Sequence, residues 1–91
     1  MTPDVVSIKV LSGYRLDAEF ADGAVRRFDM RPYLDYPAFA ALRDERLFKR
    51  AVVSNGTVSW SDEIDLSPDT LYLRGENVAT KEKSATQVKF G

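Results

Sequence analysis

The most regular alternation of hydrophobic and polar positions lies in segment 14–20. Four apolar residues at every second position, Tyr14, Leu16, Ala18 and Phe20, alternate with charged residues. A period of two is typical of a β-strand with one buried face. Asp22-Gly23 follows at once, and glycine accepts the positive φ that a tight turn needs. We therefore predict a β-hairpin over residues 14–30, against which the rest of the chain packs.

The register of this hairpin depends on the length of its loop. A two-residue loop would place apolar residues opposite charged ones on both faces. A three-residue loop over residues 21–23, with Gly23 left-handed, predicts the pairs Tyr14–Met30, Arg15–Asp29, Leu16–Phe28 and Asp17–Arg27. Cross-strand pairs of these kinds contribute about 0.2–1 kcal/mol each, and a slip of one residue would misplace all of them. The sequence therefore predicts the three-residue loop.

A further strand precedes the hairpin. Val6, Ile8 and Val10 alternate with polar residues, and Ser12-Gly13 supplies a turn, which predicts a three-stranded antiparallel meander. Its predicted buried face consists of Val6, Ile8, Val10, Tyr14, Leu16, Phe20 and Phe28.

The pattern after Met30 indicates short helices. Pro32 fits the first position of a helical turn, where no amide donor is missed, and Tyr36-Pro37 is predicted to end that turn. Phe39 and Leu42 are three residues apart, as on the inward side of another turn. Asp44 is a favourable N-cap for a helix over residues 45–50, in which Leu47 and Phe48 would pack on the sheet.

The remaining elements are predicted from local turn and cap signals. Asn55-Gly56 between β-forming residues predicts a second hairpin. The segment Ser67-Pro68-Asp69 opens a helix that Gly75 ends. Residues 76–91 are polar and are predicted to form a flexible tail, although the alternation in 88–90 leaves an edge strand open. The predicted fold is α+β: an antiparallel β-meander plus a second β-hairpin, with short helices packed on one face. Residues 1–75 would form its single compact domain.

The amino-acid composition excludes several kinds of functional site. The 91 residues contain no cysteine and no histidine, which excludes a disulfide framework and thiolate metal sites and removes the commonest general base. Neither a secretory signal nor a run of about 20 apolar residues is visible, so we expect a cytoplasmic protein with no membrane association.

Charge is balanced overall but unevenly distributed. Residues 26–50 carry seven basic and four acidic side chains, whereas residues 51–69 carry four acidic and no basic ones. A bipolar surface of this kind favours self-association or docking. Solvated faces with weak salt bridges account for the same pattern.

Four acidic residues form the best candidate for a metal site: Asp62, Glu63, Asp65 and Asp69. Hard cations require several oxygen ligands from a compact loop, but this spacing does not match an EF-hand. Asp69 is better explained as a first-turn acid of a helix. We therefore predict no catalytic, cofactor-binding or metal-binding residue, and no cofactor.

Two further groups of residues were considered as binding sites. Nucleic-acid binding would require the basic residues Arg26, Arg27, Arg31, Arg43, Arg46, Lys49 and Arg50 to converge on one face. Acidic residues interrupt this basic segment, which argues against nucleic acid as a partner.

Four aromatic residues are of the types enriched in interface cores: Tyr33, Tyr36, Trp60 and Tyr72. The simpler expectation is that they complete the core of a small domain.

Several landmarks together resemble a known family. They are Tyr14-Arg-Leu, Phe20-x-Asp-Gly, Phe28-Asp-Met-Arg-Pro, Leu42-Arg-Asp, Leu47-Phe, Trp60, and the run from Asp65 to Tyr72. In order and spacing they are similar to the bacterial family known as domain of unknown function 2442. The resemblance implies a small α+β protein with no established activity and no assigned catalytic residues.

The resemblance also bears on partners. Some related proteins append a helix-turn-helix DNA-binding domain, and no such helix pair is evident in this sequence. Similar proteins are often encoded beside another small protein, as in toxin–antitoxin pairs, which implies a protein partner. We expect a non-enzymatic protein-interaction module that self-associates or binds a neighbouring protein. The alternatives are a small carboxylate-based metal-dependent enzyme and a DNA-associated regulator.

Overall fold

A computed structural model describes residues 2–80 and has the predicted α+β class, with two antiparallel sheets and short helices. The larger sheet consists of β1 (Val5–Leu11), β2 (Arg15–Phe20), β3 (Ala24–Asp29) and β7 (Glu76–Thr80), in the spatial order β1-β2-β3-β7. The smaller sheet consists of β4 (Val52–Ser54), β5 (Thr57–Ser59) and β6 (Asp65–Leu66), in that order.

The central hairpin has the predicted three-residue loop. Its pairs include Arg15–Asp29, Leu16–Phe28 and Asp17–Arg27. Gly23 has a φ of +88°, and its N–H donates to the Phe20 carbonyl at 2.9 Å. The loop therefore keeps every apolar residue of β2 on the buried face.

The first strand differs from its prediction at one position. Val6, predicted to be buried, is 53% exposed, whereas Val5 is only 2% exposed. The pairing of β1 with β2 shifts between Val5 and Ser7. A β-bulge inserts one extra residue and so reverses the alternation on one side of it. Val5 consequently takes the core position that the sequence pattern assigned to Val6.

Tyr14 also departs from the expected strand geometry. It lies in the loop between β1 and β2 with a φ of +60°, a conformation uncommon outside glycine. Its carbonyl accepts the Met30 N–H at 2.8 Å, as the predicted register requires, and its hydroxyl donates to the Arg43 carbonyl. The half-buried Tyr14 therefore connects the meander to the helical segment.

The helical segments lie where the sequence indicated, but their bounds differ: the first ends at Tyr33 rather than at the predicted Tyr36-Pro37, and the second is longer than a single turn. Two 3-10 helices, Arg31–Tyr33 and Pro37–Arg43, precede α1 (Glu45–Phe48). Pro37 begins the second 3-10 helix. The Asp44 side chain accepts the Arg46 N–H, which confirms the N-cap. Helix α1 ends at Phe48, two residues before the predicted end.

The second hairpin and the last helix are confirmed. Asn55 and Gly56 join β4 to β5 with φ of 53° and 77°, the left-handed conformation that a two-residue hairpin loop requires. Helix α2 (Pro68–Arg74) starts after Ser67, whose hydroxyl accepts the Thr70 N–H, and ends at Gly75.

Strand β7 corrects the prediction that the polar tail starts at residue 76. It pairs with β3, with Glu76 opposite Arg27 and Asn77 opposite Arg26. The ladder holds a polar segment in place because backbone groups and opposite charges, rather than apolar side chains, make the contacts. The ordered domain therefore reaches at least Thr80. The predictions for a flexible tail and an edge strand at 88–90 lie outside the described residues.

One hydrophobic cluster joins both sheets and the helices. Its most buried large side chains are Phe20, Phe48, Leu16, Met30, Leu42, Leu71, Val5 and Val58. Trp60, 8% exposed, stacks on Phe48 and donates its indole N–H to the Phe48 carbonyl at 2.9 Å. The buried indole thus satisfies its polar group inside the core.

Candidate functional site

The acidic candidates are spread over the surface. Asp62 and Glu63 lie in an exposed loop after Trp60, the exposed Asp65 begins β6, and Asp69 lies in the first turn of α2. Among residues 2–80, no group of three or more acidic side chains is close enough to hold a metal ion. These four residues are close together along the chain, but the fold does not bring three of their carboxylates close enough in space to bind one ion.

Most of the basic residues that are candidates for nucleic-acid binding already contact other side chains of the protein. Five of the seven contact a carboxylate, an amide or an aromatic ring: Arg26, Arg27, Arg31, Arg43 and Arg46. The charges of Arg27, Arg31, Arg43 and Arg46 are therefore locally compensated by carboxylates, whereas Arg26 contacts the neutral Asn77 and Tyr72.

The predicted aromatic residues have different environments. Trp60 is buried in the core, and Tyr72 packs edge-on against Phe20 at 4.9 Å. Tyr33 stacks on Phe28 at 5.2 Å, and Tyr36, which meets the edge of Tyr33 at 5.9 Å, is 55% exposed. The expectation that all four complete the core is wrong for Tyr36.

Tyr72 also connects α2 to the central hairpin. Its hydroxyl donates to the Asp22 carboxylate at 2.7 Å. This hydrogen bond holds the pKa of Asp22 below its ordinary value, with help from the Ala24 N–H, and it raises the pKa of Tyr72. The Arg26 guanidinium lies 4.5 Å from the centre of the Tyr72 ring. These contacts have a structural role, because they fix the helix on the sheet.

Two adjoining surface depressions form a groove beside α2. The first, here called the arginine depression, has a volume of about 490 Å³ and is lined by Arg15, Arg27, Phe28, Asp29, Arg31, Pro32, Tyr33, Arg74 and Glu76. The second, the aromatic depression, has a volume of about 340 Å³ and is lined by Tyr33, Tyr36, Phe39, Leu66, Thr70 and Arg74. Tyr33 and Arg74 belong to both, so the two depressions form one continuous surface.

The arginine depression has an excess of positive charge. Arg31 binds both oxygens of Asp29 at 2.7–3.1 Å and holds the pKa of that carboxyl below its ordinary value. Arg27 is paired with Asp17 at 2.9 Å, which raises the arginine's pKa. Arg15 donates to the Ser12 carbonyl at 3.1 Å. Within the described part of the chain, neither Arg15 nor Arg74 forms a direct ion pair, although the charge of Arg15 helps to lower the pKa of Asp29 on the neighbouring strand.

The groove combines two kinds of contact. An arginine without an ion pair can bind a carboxylate through two parallel hydrogen bonds. Tyr33, Tyr36 and Phe39 present aromatic surface beside it. Tyrosine and arginine are enriched where proteins bind one another. The arrangement is therefore suited to a ligand with an acidic group next to an apolar one.

Sequence reasoning did not identify this groove. The sequence pattern predicts a strand pair of Arg15 with Asp29, and Arg74 lies outside the basic segment 26–50. The two arginines come together because α2 and β7 pack beside the end of β3. No local pattern indicates a contact between residues so far apart in the chain.

A family model described as a protein of unknown function (DUF2442) matches residues 5–77. The chain belongs to this family. The match includes all the residues that line the groove, from Arg15 to Glu76. Comparisons with curated proteins and with solved structures found no match. Between residues 2 and 80, no helix is both long and apolar enough to cross a membrane.

Proposed function

We propose that this DUF2442 protein is a non-enzymatic, cytoplasmic protein-binding module and that the groove receives its partner. The observation that carries the proposal is the continuity of Arg15 and Arg74, which form no direct ion pair within residues 2–80, with partly exposed aromatic surface, through Tyr33 and Arg74. The proposed ligand is a protein segment with an aspartate or glutamate next to a large apolar side chain.

Charge and burial support a peptide segment as the ligand. The first depression is lined by four arginines and two acidic residues, so a carboxylate entering it would meet a positive potential. Leu73, 76% exposed, lies on the outward side of α2 one turn after Thr70, which lines the groove. An apolar side chain of the ligand could lie in the aromatic depression. There it would exclude water from the ion pair between the ligand's carboxylate and the groove arginines.

Affinity capture from the source organism tests the proposal. The tagged protein would be compared with Arg74→Glu, which reverses the charge at the centre of the groove, and with Tyr36→Ser, which removes exposed aromatic surface. Arg50→Glu is the matched control, because Arg50 is an exposed arginine outside the groove. We expect one captured protein with the wild type and the control, and its loss with both groove variants.

The captured protein would then be titrated against each variant by calorimetry. Loss of an arginine–carboxylate contact at the centre of an interface typically lowers affinity at least tenfold. Equal binding by Arg74→Glu and Arg50→Glu would refute the groove as the binding site. Failure to capture any protein would count against the proposed function itself.

A further inference from the structure

The outer edge of β1 carries unpaired backbone groups. β1 is the terminal strand of the larger sheet and pairs with β2 on one side only. The Tyr14 carbonyl points to β3, where it accepts the Met30 N–H. Because backbone direction alternates along a strand, Arg15, Asp17 and Glu19 face β1. Their partners Leu11, Lys9 and Ser7 face β2 in turn.

The intervening residues, Ile8 and Val10, therefore direct their N–H and C=O groups away from β2. No backbone hydrogen bond joins either residue to another element among residues 2–80. Val5 marks the end of the free edge, since its N–H donates to the Gly56 carbonyl at the tip of the second hairpin, at 2.9 Å. Beyond this point, the outward-facing backbone groups of β1 that no other element of residues 2–80 binds are those of Ile8 and Val10.

The side chains of this edge offer little protection against pairing. Natural edge strands are usually shielded by charges, prolines or a short length. β1 has seven residues, contains no proline, and carries a single charge, Lys9. Val6 is 53% exposed, and Ile8 and Val10 are half-buried. A long apolar edge with free backbone groups is a template for another strand.

We propose that β1 pairs antiparallel with β1 of a second copy of this chain across a two-fold axis at Ile8. In this register Ile8 lies opposite Ile8, Ser7 opposite Lys9, and Val6 opposite Val10. The two larger sheets then form one continuous eight-stranded sheet. Two-fold symmetry makes each contact occur twice, as expected for an isologous interface.

Charge disfavours one competing register, the one shifted by a single residue toward Lys9. A shift that centres the axis on Lys9 places two ammonium groups directly opposite each other, which is destabilising. With the axis at Ile8, each Lys9 lies between its own Asp17 and Ser7 of the second copy. The carboxylate of Glu19, which accepts the Ser7 hydroxyl at 3.0 Å, lies beyond that serine. The row across the interface therefore places no two like charges side by side, because the neutral Ser7 of the second copy lies between Lys9 and that copy's Glu19.

The edge is separate from the groove. None of the residues from Val6 to Leu11 lines either depression. Dimer formation can therefore be tested without the groove's ligand, and either proposal can fail alone.

Molar mass in solution is the first test. Sedimentation equilibrium of the full chain across micromolar to millimolar concentrations should show a monomer–dimer equilibrium. Val6→Lys places a charge on the exposed edge and should raise the dimer Kd about tenfold, because two cross-strand contacts are lost. Leu73→Lys is the control, since Leu73 is an exposed apolar residue of α2, which packs on β3, and it should leave the Kd unchanged.

Disulfide trapping tests the register. The chain has no cysteine, so a single substitution reports one position. Ile8→Cys should form a covalent dimer under mild oxidation, because residues facing each other across antiparallel strands meet the Cα separation of a disulfide. Lys9→Cys should not, since the two substituted positions would lie two residues out of register.

Three results would overturn the proposal. They are a monomer at all concentrations, equal dimerisation by Val6→Lys and wild type, and cross-linking of Lys9→Cys in preference to Ile8→Cys. A chain that dimerises only after removal of residues 81–91 would also overturn it, because the tail rather than a second copy would then occupy the edge.

Discussion

The tip of the second hairpin meets the start of β1 at Gly56, and this contact can be measured. Gly56 has a φ of +77°, and a Cβ built there would lie 2.6 Å from Cγ and 2.7 Å from Oδ1 of Asp4. Gly56→Ala should therefore destabilise the fold in two ways, through left-handed backbone strain and through a clash with Asp4.

The two contributions can be separated with Gly23. A Cβ at Gly23, whose φ is +88°, has no atom within 4 Å, so Gly23→Ala should cost only the backbone strain of about 1–2 kcal/mol. Overpacking typically adds about 1–3 kcal/mol. The Asp4 side chain is exposed, so rotation about its Cα–Cβ bond can move Cγ and Oδ1 away, while its Cβ stays at 2.9 Å; the lower value, about 1 kcal/mol, therefore applies to Gly56→Ala. We therefore expect Gly56→Ala to cost about 2–3 kcal/mol in total.

Urea unfolding followed by the fluorescence of Trp60, the only tryptophan, measures these free energies. Asp4→Ala alone should change little, because its side chain forms no hydrogen bond or ion pair within the described chain. When Asp4→Ala is combined with Gly56→Ala, it removes the two atoms closest to the new Cβ, Cγ and Oδ1 of Asp4. The free-energy cost of Gly56→Ala should then fall toward that of Gly23→Ala. The reasoning is refuted if the double variant is no more stable than Gly56→Ala, which would give a coupling energy of zero.

Three further predictions concern α2. Tyr72→Phe should raise the pKa of Asp22, followed by NMR titration. The pKa of Asp22 is lowered in the folded protein, so its carboxylate stabilises the fold above the unfolded pKa. This stabilisation is lost as the pH falls through the folded pKa. On acidification, Tyr72→Phe should therefore lose less stability than the wild type does. Leu71→Ala should cost about 2–5 kcal/mol in urea unfolding, whereas Leu73→Ala, on the exposed side, should cost less than about 0.5 kcal/mol; equal costs would contradict the assigned burial. Ser67→Ala removes the N-cap and should cost about 0.5–2 kcal/mol by the same assay, and no change would show that the cap does not stabilise α2.

Local chemistry made much of the fold predictable. Gly23 and Asn55-Gly56 supply the left-handed conformations that their turns require, and Asp44 and Ser67 accept the first free amides of their helices. Each of these signals depends on atoms within a few residues of one another. The register of the central hairpin was predictable for the same reason, because its loop length and its side-chain pattern agree.

Structural features that depend on distant contacts were not predictable in the same way. The bulge that exchanges Val5 for Val6 interrupts an alternation that the sequence continues without a break. Residues 76–80 have the composition of a tail, yet they form β7 because β3 offers a complementary edge. The exposure of Tyr36 likewise follows from its place beside Tyr33 on the surface.

The sequence by itself determined the α+β class, the two hairpins, the helix starts and the family, since each is written in short-range patterns or in their order. Only the tertiary structure decided that Arg15 and Arg74 share a groove with Tyr33 and the exposed Tyr36, and that within residues 2–80 the outer edge of β1 pairs with no further strand. Both features arise from packing between segments far apart in the chain, where the closing of long loops, rather than local preference, determines which residues meet.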